Sequence, residues 1–98
     1  MALAPKLIAL INGTGTYIPG AGEAATISTV SIHNPTAGTL VSTINIGAAN
    51  NATDQFSSIN IPADGTVILT IGITLSDADT LYANGASLNT HLFGILET

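Results

Sequence analysis

His33 and His91 are the chain's two histidines and the first place to look for a metal centre or a proton shuttle. A zinc site needs three or four nitrogen, sulfur or carboxylate donors. No further donor stands at ligand spacing from either histidine, and the chain has no cysteine. Both read as ordinary strand or turn residues, and no metal is assigned. Asp77-Ala78-Asp79, with Asp64 upstream, looks like the start of a calcium loop. The ligand order and closing Glu of a helix-loop-helix site are missing, so the expectation is a turn in which Asp caps backbone amides. Gly20-Ala21-Gly22-Glu23-Ala24-Ala25 has the skeleton of a dinucleotide fingerprint. Pro19 precedes it and no helix follows, so nothing would present a helix N-terminus to a pyrophosphate. None of the serines at 28, 31, 42, 57, 58, 76 and 87 sits in a Gly-x-Ser-x-Gly elbow. Strands can bring any two carboxylates together, but no tryptophan is present to stack a sugar beside such a pair. Asn12-Gly13-Thr14 and Asn51-Ala52-Thr53 match the glycosylation sequon, a pattern common by chance in an Asn/Thr-rich chain. The residues thus predict a protein that is not an enzyme, with no catalytic residue and no cofactor.

The charge pattern narrows the partners. Lys6 is the one basic side chain, against Glu23, Asp54, Asp64, Asp77, Asp79 and Glu97, for a net charge of -5. Nucleic-acid affinity rests on Lys and Arg neutralising phosphates, and anionic membranes make the same demand. Neither partner is expected. The opening apolar run ends at Asn12-Gly13, short of a secretory core, and no stretch reaches the ~18 apolar residues of a membrane helix. With 98 residues, one domain is expected over 1–98.

Turn chemistry recurs at short intervals: 12–15, 19–22, 34–38, 47–54, 62–65, 76–79 and 84–86. Glycine supplies positive φ there, proline fixes φ, and Asn or Asp bonds its own backbone. Between the turns, Ile-, Val-, Leu- and Thr-rich runs predict strands at 6–12, 24–33, 39–46, 55–61, 66–74, 79–83 and 88–96, with a short edge piece at 15–18. Val67, Leu69, Ile71, Ile73 and Leu75 share one parity, and so do Leu40, Ile44 and Ile46. Ile27 has the wrong parity for Val30 and Ile32, which calls for a bulge between them. Only 47–54 offers a single helical turn. The fold class is all-β: a single-domain antiparallel sandwich of seven to eight short strands, jelly-roll or immunoglobulin-like, two topologies that the sequence leaves open.

The first and last strands do not fit a lone sandwich, in which each strand has one core face and one solvent face. Leu7-Ile8-Ala9-Leu10-Ile11 is apolar on both sides. In 88–96, Leu88, Leu92 and Leu96 share one face while Phe93 and Ile95 share the other. One apolar face fills the core and the second needs another cover. Leu7, Leu10, His91, Phe93 and Ile95 are therefore the candidate subunit-interface residues of a homo-oligomer.

The stretch Ile61-Pro-Ala-Asp-Gly-Thr-Val-Ile-Leu-Thr-Ile-Gly-Ile-Thr-Leu-Ser-Asp-Ala-Asp-Thr-Leu81 resembles small β-sandwich virion proteins of tailed bacteriophages. Ile27-Ser-Thr-Val-Ser-Ile-His-Asn-Pro-Thr-Ala-Gly-Thr39 is similar to their strand leading into a small-residue turn. The matches fall within 27–81. The resemblance implies a location in the virion, as a capsid decoration or cement protein bound to the major capsid protein or another virion protein. It also implies a trimer, since shell proteins often sit on threefold axes. A tail or fibre component, or a carbohydrate-binding adhesin module, is the alternative. Such a module would rely on aromatic platforms, for which only Tyr17, Tyr82, Phe56 and Phe93 are available. The resemblance carries over no functional residue.

Overall fold

The computed structural model describes residues 6–47 and 55–97. It contains eight strands: β1 (Lys6–Asn12), β2 (Gly15–Tyr17), β3 (Ala24–His33), β4 (Leu40–Gly47), β5 (Gln55–Ile61), β6 (Thr66–Ser76), β7 (Thr80–Asn84) and β8 (Asn89–Glu97). These fall within two residues of the elements that the apolar alternation and turn residues predict. The helical turn considered within 47–54, the Asn51 sequon and Asp54 fall in the stretch after Gly47 that lies outside the described residues.

The strands form two antiparallel four-stranded sheets, β1-β8-β3-β6 and β2-β7-β4-β5. The pairs β1·β8, β2·β7, β3·β6 and β4·β5 make one long ladder of nested hairpins, folded over so that β8 also pairs β3 and β7 also pairs β4. This order is that of a jelly roll, which settles the topology left open by the sequence. Between the sheets lie Ile27, Val30, Ile32, Ile61, Leu81 and Leu92, none with measurable exposure, and Ile44 and Leu88 at 1%. The odd-numbered row of β6 (Val67, Leu69, Ile71, Ile73) packs against this core from the sheet edge and is half-buried. The expected inward row of β4 is found as well, with Leu40 and Ile46 packed on the core, and Ile59 of β5 joins them.

Two bulges set which residues face outward. In β3 the register shifts between Ile27 and Thr29, so Ile27, Val30 and Ile32 all reach the core. The Ser28 hydroxyl donates to the Phe93 carbonyl at 3.3 Å. Opposite the bulge, Gly94 is buried, and a Cβ there would collide with the Thr26 carbonyl oxygen and lie 3.1 Å from Ile27 Cα. Only glycine lets the two backbones come this close. In β1 the register shifts between Leu7 and Ala9.

The loops at one end are tied through Asn34, which is fully buried. Its Nδ2 donates to the carbonyls of Gly38 (2.8 Å) and Ile61 (3.0 Å). Its Oδ1 accepts from the Thr36 amide (2.9 Å) and hydroxyl (2.6 Å). The Asn34 amide donates to Gly65 O, and the Asp64 amide to Thr36 O. The crossover from β3 to β4 is thereby fastened to the β5–β6 turn.

Candidate functional site: the outer face of the β1-β8-β3-β6 sheet

The structure brings the candidate interface residues together on one surface. Along β8, Thr90, Leu92 and Gly94 turn inward and are buried, while His91, Phe93 and Ile95 turn outward. The β1 bulge places both Leu7 and Leu10 on the same outer side, opposite Phe93 and His91 respectively. Strict alternation would have put these two leucines on opposite faces. Leu7 is 50% exposed and Leu10 47%. The rings of His91 and Phe93 stack, with centroids 6.2 Å apart and planes 11° from parallel.

Across β3 and β6 the face continues with small hydroxyl residues. Thr26 lies opposite Ile95, Thr29 opposite Phe93, and Ser31 opposite His91. Thr26 and Thr74 hydroxyls are 3.2 Å apart, and His33 Nδ1 is 2.9 Å from Thr66 Oγ1. Ile68, cross-strand from Ser31, is 64% exposed. Charge lies elsewhere. Strand ends at Ala24, Ser76 and Glu97 are in register, so Glu23, Asp77, Asp79 and Glu97 gather at one end of the sandwich and Asp64 marks the other. The side chains on this face are thus apolar toward β1 and β8, hydroxylated toward β6, and without Asp, Glu, Lys or Arg between the ends.

Comparison with known protein families, with curated proteins and with solved structures finds no match.

The other candidate chemistry resolves into structural roles. The Asp79 carboxylate accepts from the Ser76 amide (2.9 Å) and hydroxyl (3.2 Å), and the Asp77 carboxylate accepts from the Gly22 amide (2.9 Å). Asp79 is the turn cap that the sequence suggests, whereas Asp77 ties its turn to the separate turn at Gly22. Gly20 to Glu23 is a turn, closed by the Glu23 amide on Gly20 O, with the Glu23 carboxylate accepting from the Gly20 amide at 2.9 Å. Among the described residues no group of three His, Asp or Glu side chains has the arrangement of a metal site, and no pocket opens. Tyr17 packs against the core, and partial burial together with the negative charge of Glu23 raises its pKa above the ordinary 10.0. It is not a free aromatic platform. Tyr82 faces outward on the other sheet, with Thr16 and Asn45 as cross-strand neighbours.

Sequence reasoning did not single out Ile68 or Gly94. Both left a trace. Ile68 is the one large apolar residue out of step with the β6 alternation, and a lone glycine inside the apolar β8 run is the usual mark of close backbone approach.

Proposed function

We propose that this protein is a non-enzymatic virion structural protein, a capsid decoration or cement protein that binds the outer surface of a phage head as a homo-oligomer, with a trimer favoured. The observation that carries the reading is the outer face holding Leu7, Leu10, His91, Phe93 and Ile95, away from the acidic residues of a chain of net charge -5. Such a face is suited to contact another protein surface, and closed rotational symmetry keeps an assembly of copies finite. The resemblance of residues 27–81 to phage virion proteins supports the setting, and jelly rolls recur in viral capsid and lectin domains, an argument by fold analogy.

The test has two parts. Light scattering with size-exclusion chromatography gives the mass of the free protein. The Phe93→Ser, Ile95→Ser double variant removes roughly 1.5–3 kcal/mol of burial per side chain if both are covered by another copy. It should run as a folded monomer. Unfolding of that variant would mean that the two side chains support the sandwich itself, and a monomeric parent at high concentration would sink self-association of the free protein. In purified particles, mass spectrometry should count hundreds of copies. A few to tens would move the protein to the tail.

One observation favours the second reading, a carbohydrate-binding tail or adhesin module. Tyr82 lies on the outer face of the β2-β7-β4-β5 sheet beside the exposed Thr16. A glycan array decides it: a specific hit lost on Tyr82→Ala would put this reading first.

A further inference from the structure

We draw no further inference here: the strongest candidate, the open edge of β6 with the exposed Ile68 on its outer row, carries nothing because nothing in the structure shows what covers it.

Discussion

Replacing Asn34 by alanine removes a fully buried side chain that makes four hydrogen bonds. Three of them, to the Thr36 amide, the Thr36 hydroxyl and Gly38 O, end on loop groups at the surface. Water can replace Asn34 there, so each loss costs about 0.5 kcal/mol, the low end for a net hydrogen bond. The fourth leaves the Ile61 carbonyl without its buried donor, at about 1–3 kcal/mol. Together the loss is roughly 2.5–4.5 kcal/mol, against about 5–15 kcal/mol for a whole domain. At ~4–8 °C per kcal/mol for a chain of this size, the melting temperature should fall by roughly 10–35 °C. Circular dichroism melts and urea titrations give the value. Thr36→Val removes only the hydroxyl bonds to Asn34 Oδ1 and Gly38 O, so its loss should be near 1 kcal/mol. Asn34→Asp keeps the acceptor but buries a carboxylate in place of a donor. Burial would raise that carboxyl's pKa in the folded state, so the variant should regain stability as pH falls through that raised value and lose it as pH rises. A fall below ~5 °C for Asn34→Ala would refute the idea that this side chain fastens the crossover.

Gly94→Ala should abolish the native fold or force β8 out of register, because the new methyl meets the Thr26 carbonyl rather than a movable side chain; a soluble variant with the parent's melting curve would contradict the packing described. Tyr17 should ionise above 10.0, and the stability tied to its neutral form should be fully present below that value and lost as pH rises through the raised one. Absorbance at 295 nm follows the titration, and Glu23→Gln should lower the midpoint without fully restoring it, since burial is the larger cause. Adding a chelator should leave the melting curve in place, and a drop of many degrees would reveal a metal role for the Asp or His side chains.

The strands were legible because Ile, Val, Leu and Thr alternate between strong turn residues, and the bulge in β3 was legible because Ile27 broke the parity of Val30 and Ile32. The bulge in β1 was not. In Leu7-Ile8-Ala9-Leu10-Ile11 every position is apolar, so parity carries no information, and only pairing with β8 shows that Leu7 and Leu10 share a face. The turn at Asn34 was expected, but its reach to Ile61 depends on which loops the topology brings together. Jelly-roll and immunoglobulin-like order differ in which distant strands pair, and local alternation does not encode that choice.

The position of β8 has a kinetic consequence. It lies between β1 and β3, so the first strand has no hydrogen-bonded neighbour until the last of the eight arrives. Only β4 and β5 pair as sequence neighbours, and every other ladder must close a longer loop first. Folding should accordingly be slow for so small a chain, in the millisecond-to-second range of strand pairings distant in sequence. Until β8 inserts, the flank of β3 that it will occupy is a second open edge. During that interval a neighbouring chain's β8 could take the place of its own, so crowded refolding should favour exchanged strands over simple aggregates of unfolded protein.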